Sequence, residues 1–312
     1  IVPDAVNLLV SHGHDVLVES GAGDNASFTD NQYSEAGAKI VYDVKEVYQA
    51  DIIIKVEPPT MEEIKLMKGR QTLISALQIT TQSKEYIEQL LQKKNTALAF
   101  EYIHDESGLM PFMRSMSEIA GNTSLLIASE YLSNVNNGKG LMLGGVAGVT
   151  PTEVVIIGAG TVGECAARAA MGLGASVKVF DNSLSKLRRL QNDLNTRVYT
   201  SIIQPKVLSK ALRRADVLFC AIRSNHKRTP CVVSDEMVQA MKDGSVIVDI
   251  SIDQGGCVET SELTNHSSPV FTKHGVVHYC VPNIPSRVAR TASFALSNLL
   301  TPTLLRIADE GG

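Results

Sequence analysis

"VVIIGAGTVGECAARAA", residues 154–170, decides the fold. Four apolar residues run into glycines at 158, 160 and 163, and an amphipathic stretch follows. That order reads as a buried strand, a tight turn and a helix, the context in which G-x-G-x-x-G carries meaning. Gly158 permits the turn, Gly160 lets a pyrophosphate approach the backbone, and Gly163 lets the helix close onto the strand. The helix N-terminus offers N–H groups and a positive dipole end to phosphate. Ala159, Thr161 and Val162 belong to the same phosphate-binding turn. Asp181 ends the next apolar stretch, 18 residues after Gly163, where a carboxylate can accept from both ribose hydroxyls. It would repel a 2′-phosphate, so NAD is expected rather than NADP. Asn182 adjoins it, and Lys186 and Arg188 soften the preference.

Strand-like and helix-like stretches alternate on both sides of this motif. Residues 14–20, 38–43, 50–56, 71–77 and 96–103 read as strands, with helical spacing at 3–13 and 83–94. A long apolar-striped helix is expected over 118–134, then a flexible loop to 145. Strands at 153–158, 175–181, 215–222, 245–251 and 276–283 follow, with helices at 162–174, 183–192 and about 234–241, and helical spacing returns at 287–309. Such alternation predicts an α/β chain with parallel sheets. The expected division is 1–122 with 290–312, and a dinucleotide-binding Rossmann domain over 123–289.

Composition excludes several classes. A chain of 312 residues, 44% hydrophobic, can bury one large or two ordinary cores. A net charge of −4 gives no general reason to expect nucleic acid or an anionic membrane. The five cysteines, 165, 220, 231, 257 and 280, form no CxxC pair. That suits a reducing cytosol and argues against disulfides or a structural metal site. No apolar run approaches a membrane span and no signal peptide is visible. The chain opens at Ile1 without Met, so further residues are expected before it.

Two carboxylates stand out in "VIVDISIDQGGCVE", residues 246–259. A carboxylate is expensive to bury alone. Asp249 lies inside the strand and reads as a paired structural group. Asp253 has two readings, a turn or N-cap residue before Gly255, or a functional carboxylate at the strand's end.

The chain resembles the alanine dehydrogenase family and its relative, the NAD(H)-binding subunit of proton-translocating transhydrogenase. The resemblance spans nearly the whole chain. It is carried by "SGAGDNASFTDNQYSEAGAKIV" (20–41), "MSEIAGN" (116–122), "GKGLMLGGVAGV" (138–149), "VVIIGAGTVG" (154–163), "GSVIVDISIDQGGCVETS" (244–261) and "GVVHYCVPNIP" (275–285). The "IDQGGCVETS" stretch favours the dehydrogenase branch, leaving a transhydrogenase-type subunit as a weaker alternative. What the resemblance implies is two Rossmann-like domains separated by a cleft, a homo-oligomer, and reversible NAD-dependent deamination of L-alanine to pyruvate and ammonia. Ser117, the three glycines, Asp181, Lys186, Ile222, Val281 and Asn283 would line the cofactor, and Asp253 would sit beside the nicotinamide and the reacting carbon. Asn283 and Asp253 are accordingly candidates for catalysis too.

The substrate half departs from the family pattern. The family's Lys-Val-Lys-Glu-Pro reads "KVEPP" here, so its substrate-binding Lys falls on Glu57 without a gap, and Lys55 serves only after a local slip. The family's acid/base His falls on Gln78, which hydrogen-bonds but does not titrate near neutrality. A substrate-binding Arg of the family would lie before Ile1. His104, His226 and His278 could substitute as titrating groups, and Arg223, Lys227 and Arg228 make the loop around His226 basic, a solvated loop or an anion site. His278, mid-strand, reads as a core residue. Two functions follow: an NAD-dependent oxidoreductase acting on an amino acid or 2-oxo acid, or an NAD(H)-binding sensor that does no chemistry.

Overall fold

A strand covered on both faces is apolar at every position, whereas one with a wet face alternates. Residues 154–157, 217–220 and 246–248 are continuously apolar and fully buried, and they form the middle of one sheet. The computed structural model describes residues 1–79, 81–223 and 228–309. It has two compact units, Ile1–Met116 with Val288–Gly312, and Ser117–Arg287.

In the first unit, β1 (Leu17–Glu19) pairs with β2 (Lys39–Val41), and β3 (Ile52–Ile54), β4 (Thr72–Ser75) and β5 (Thr96–Ala99) form a second sheet in that order. Every pairing is parallel, as the alternation predicts, but the strands make two ladders rather than one. They are also shorter than expected: β5 stops at Ala99, where Phe100–Tyr102 winds into a 3₁₀ turn. The helices between them are capped by their own sequence. Thr60 and Glu63 form a reciprocal capping box at Met61–Leu66, and Ser83 accepts from the Tyr86 N–H at Lys84–Gln92. The C-terminal helix Ala289–Asp309 folds back on this unit. Its Leu296, Leu300 and Leu304, at helical spacing, close a core with Leu9, Ile74, Phe100 and Phe112.

The second unit holds β6 (Glu153–Ile157), β7 (Ser176–Phe180), β8 (Tyr199–Ser201), β9 (Val217–Cys220), β10 (Val246–Asp249), β11 (Val270–Lys273) and β12 (Val276–Tyr279). Their order is β11-β12-β10-β9-β6-β7-β8, parallel except for β11 at the edge. Strand order reverses between β6 and β9, which opens a crevice at their carboxyl ends. The unit is the Rossmann-type α/β domain expected from the glycine motif. β8 and β11 escaped the sequence reading because each is a short edge strand with exposed or half-buried positions. The stretch read as a strand to residue 283 stops at Tyr279. The long helix starts at Pro111 rather than 118, with proline at the position where its missing N–H costs nothing. Among the described residues no helix is long and apolar enough to cross a membrane.

Ile156 is fully buried in central β6. Ile156→Ala is expected to lower the second unit's urea stability by about 2–5 kcal/mol. The same truncation at exposed Leu184 is expected to change it by less than about 0.5 kcal/mol.

Candidate active site

The glycine turn follows β6 and obeys the steric logic of its sequence. Gly158 has φ +112°, and a Cβ there would overlap the Ala221 carbonyl at the end of β9. A Cβ on Gly163 would overlap the Gly158 carbonyl oxygen. At Gly160 a Cβ would meet nothing within 4 Å, so this position faces open space. Gly160 is also the N-cap of helix Thr161–Gly172 and supplies no side chain to it. The helix's first N–H groups are therefore left for an anion, which is how the turn fits a dinucleotide pyrophosphate.

Asp181 sits just after β7 and holds this turn. One carboxylate oxygen accepts from the Ala159 N–H at 2.8 Å and the other from the Ser183 N–H at 2.7 Å. Each oxygen keeps a lone pair for a hydroxyl. Arg189, absent from the sequence reading, donates to the Ala159 carbonyl at 3.0 Å, so both backbone groups of Ala159 are clamped. Lys186 is exposed, and the Asn182 amide oxygen accepts from the Ile203 N–H at 3.2 Å. Helix Pro111–Leu132 reaches the same region through Gly121, where a Cβ would meet the Val162 carbonyl at 2.5 Å. Ser117 is one turn earlier on that face. Val281 is buried, and Asn283 is exposed in the left-handed region at φ +55°.

Beyond β10 the chain makes a 3₁₀ turn, Ile250–Gln254, whose N-cap is Asp249 and not Asp253. Asp249 is buried and bonded rather than ion-paired. One oxygen accepts from the Ser251 N–H at 3.1 Å, the other from the Cys257 N–H at 3.2 Å and the Ser261 hydroxyl at 2.8 Å. Burial raises its pKa, and these donors hold it down in part. The cap reading thus belongs to Asp249, and Asp253 is left exposed inside the turn, four residues on. Enclosure by the surrounding groups raises the Asp253 pKa, and the charge of Arg223 partly offsets this.

The cysteines meet in space although they are scattered in sequence. Cys220 and Cys257 lie with Asp249 within 4.8 Å of one another, all buried. Thiolates are needed to hold a metal. Burial pushes the Cys220 and Cys257 thiols up, and both Asp249 oxygens already receive donors. The cluster is a hydrogen-bonded support for the turn. His278 is likewise structural, bonded to the Thr260 hydroxyl at 2.7 Å and the Val276 carbonyl at 2.9 Å.

In the first unit, the carboxyl ends of β3, β4 and β5 bring Lys55, Glu57, Gln78 and Glu101 to one sheet edge. Ser75 Oγ donates to the Glu57 carbonyl at 2.8 Å. Glu101, which the sequence reading passed over, accepts from the Leu77 N–H at 3.2 Å and the Gln78 N–H at 2.7 Å. It holds Gln78 in the left-handed region, at φ +48°, with an exposed side chain. Glu57 is exposed too. Lys55 is committed elsewhere: its ammonium bonds both Glu63 oxygens, at 2.5 and 2.6 Å. Burial alone would raise the Glu63 pKa, but Lys55, the Thr60 N–H and the Tyr48 hydroxyl bring it to about 2. That tells against Lys55 as a substrate ligand. His104 is exposed, and His226 and Lys227 lie outside the described residues.

Two family models cover the chain: the alanine dehydrogenase/PNT N-terminal domain over residues 1–120 and the C-terminal domain over 124–312. The chain belongs to the alanine dehydrogenase/PNT family. It is 41% identical over 312 residues to alanine dehydrogenase of Bacillus subtilis, covering 100% of this chain and 82% of the relative. A solved L-alanine dehydrogenase matches with a TM-score of 0.93 at 38% identity, over 100% of this chain and 86% of that one. A transhydrogenase from Sinorhizobium meliloti matches with a TM-score of 0.84 at 25% identity, over 97% and 87%.

Within this alanine dehydrogenase/PNT chain, two substitutions test the local readings. Gly163→Ala is expected to abolish dinucleotide binding in a fluorescence titration, because the methyl collides with backbone. Lys55→Met is expected to return Glu63 toward an ordinary carboxylate. The folded pKa is depressed from 4.5 to about 2, so the pairing stabilises the protein above about pH 4.5 and is lost as pH falls toward 2. The variant's deficit in urea midpoint should therefore be full at pH 6 and shrink steadily below pH 4.5.

Proposed function

We propose that the protein is an NAD-dependent oxidoreductase that interconverts an α-amino acid and its 2-oxo acid, with L-alanine and pyruvate as the reference pair. What supports it most is a phosphate-ready glycine turn after β6 together with the exposed carboxylate of Asp253 after β10, on a sheet where β9 alone separates the two strands. The balanced reaction is amino acid, NAD⁺ and water to 2-oxo acid, ammonium, NADH and a proton.

The bound dinucleotide would accept or return the hydride; the chain's own residues do the rest. The uncapped N–H groups of helix Thr161–Gly172 would take the pyrophosphate, with Asp181 on the ribose. Asp253 would hold the substrate nitrogen as ammonium, and then the carbinolamine formed when water adds, by charge and position. Its raised pKa makes it a better proton acceptor than a free aspartate. Gln78 would hydrogen-bond a carbonyl or amine without titrating. Asn283 would line the nicotinamide end beside Val281. The family's homo-oligomeric assembly belongs to the same proposal, and light scattering after gel filtration reads it.

A second reading is favoured by one specific observation. The family's Lys and His positions hold Glu57 and Gln78, and Lys55 is tied to Glu63. An NAD(H)-binding sensor without chemistry would look like this. Steady-state NADH oxidation with ammonium and a panel of 2-oxo acids separates the two. Turnover supports the oxidoreductase; NADH binding with no turnover anywhere on the panel leaves the sensor. For the oxidoreductase, Asp253→Asn is expected to lower kcat at least about 100-fold with NADH affinity kept. The wild-type rate should fall as pH drops through a value above the ordinary aspartate range, because protonation removes the charge that holds the nitrogen.

A further inference from the structure

Hydride transfer needs the nicotinamide ring in one orientation, and a side chain that orients it must itself be held still. Asn283 stands at the edge where such a group is needed. β12 runs parallel to β10 with Tyr279 aligned to Val248, so Asn283 leaves the sheet at the same carboxyl edge as Asp253. Its side chain is exposed and has no hydrogen-bond partner among the described residues.

The backbone of Asn283 is fixed from several directions. Val281 and Ile284, on either side, are buried in the core of the second unit. The left-handed φ of +55° is one that Asn tolerates better than most residues. The Asn283 carbonyl accepts twice from Ser286, from its N–H at 3.0 Å and from its Oγ at 2.7 Å. With its proton committed there, Ser286 Oγ accepts from His266 Nε2 at 2.8 Å. Arg287, the next residue, ion-pairs with Glu130 of helix Pro111–Leu132. Its Cζ lies over the Tyr279 ring, 5.8 Å from the centroid, at the end of β12. A pair this open to water adds little stability. A planar guanidinium held by both a carboxylate and a ring face is nevertheless fixed in orientation. The 3₁₀ turn Ile284–Val288 is thereby tied to a helix on one side and to β12 on the other.

We propose that Ser286 and Arg287 are positioning residues for the nicotinamide end of the dinucleotide, holding Asn283 as the side chain that meets it. The inference rests on the proposed place of Asn283 beside the nicotinamide. Neither positioning residue needs to touch the cofactor: Ser286 spends its donors on the Asn283 carbonyl, and Arg287 spends its charge on Glu130. β10 and β9 lie between β12 and the glycine turn after β6. Loosening the turn after β12 is therefore felt by the nicotinamide and not by the pyrophosphate and adenine half.

The test compares two probes by calorimetry on the full chain: NADH, and ADP-ribose, which lacks the nicotinamide. Asn283→Ala is expected to weaken NADH and leave ADP-ribose unchanged. Ser286→Ala and Arg287→Gln should each weaken NADH about 3- to 10-fold, the cost of ordering one freed side chain, with ADP-ribose held within about two-fold. Arg287→Lys should recover only part of the loss, since it keeps the charge but not the planar stack. Glu130→Gln should match Arg287→Gln, and the double variant should lose no more than either alone. Full NADH affinity in both Ser286→Ala and Arg287→Gln, with Asn283→Ala weakened, overturns the inference alone. Equal losses of NADH and ADP-ribose overturn it too, because the turn would then only support the fold. Full NADH affinity in Asn283→Ala removes the placement on which it rests. Because both probes are read by binding, absence of turnover bears on the oxidoreductase reading and leaves this result interpretable.

Discussion

A carboxylate buried without a cation organises the turn that follows β10 in the second unit. Asp249 closes β10, and three donors converge on it from Ser251, Cys257 and Ser261. Those donors come from both ends of one turn, so the carboxylate fixes where residues 250–257 begin and where they return. Gly256 has φ +71°, and a Cβ there would meet an Asp249 oxygen at 2.8 Å. The glycine pair after Asp253 is thus a consequence of the cap: one residue must give way to the carboxylate, and the other to Arg228. Asp253 lies inside this turn and is not a partner of the cap; local backbone N–H groups and the charge of Arg223 offset part of the effect of its enclosure.

The dinucleotide turn obeys the same rule of backbone crowding. Gly158 and Gly163 are glycines because carbonyl oxygens occupy their Cβ positions, while Gly160 is a glycine facing space. Only the glycine that faces space signals a ligand. Asp181 and Arg189 then clamp Ala159 from its N–H and its carbonyl, so the turn is rigid before anything binds. A preformed site loses less freedom on binding than one that must be ordered.

Much of this was legible in the sequence, for identifiable reasons. The central strands β6, β9 and β10 are apolar along their buried runs, and the glycine motif is local, so both could be read without tertiary information. The short edge strands β8 and β11 could not, since an edge strand buries too little to show a pattern. Asp249 and Asp253 could be separated only in part: strand position made Asp249 structural, but its three donors lie up to 12 residues away. Lys55 was misleading for a related reason. Its partner Glu63 sits eight residues on, inside a capping box that sequence shows as helix chemistry alone. Glu101 gave no signal beyond being a carboxylate at the end of an apolar strand. Cys220 and Cys257, 37 residues apart, meet because Cys220 ends β9 beside Asp249 of β10, and the capped turn brings Cys257 back.

The charges of the first unit's sheet edge differ from those beside the Asp253 turn. Glu57, Glu63 and Glu101 stand there against Lys55, and Lys55 is neutralised by Glu63. The edge is therefore anionic on balance, and Gln78 adds hydrogen bonding without charge. A carboxylate brought to it would meet Coulomb repulsion at distances shorter than the Debye length, where dissolved salt screens little. The arginines after β9 carry the opposite sign and have no competing ion-pair partner among the described residues.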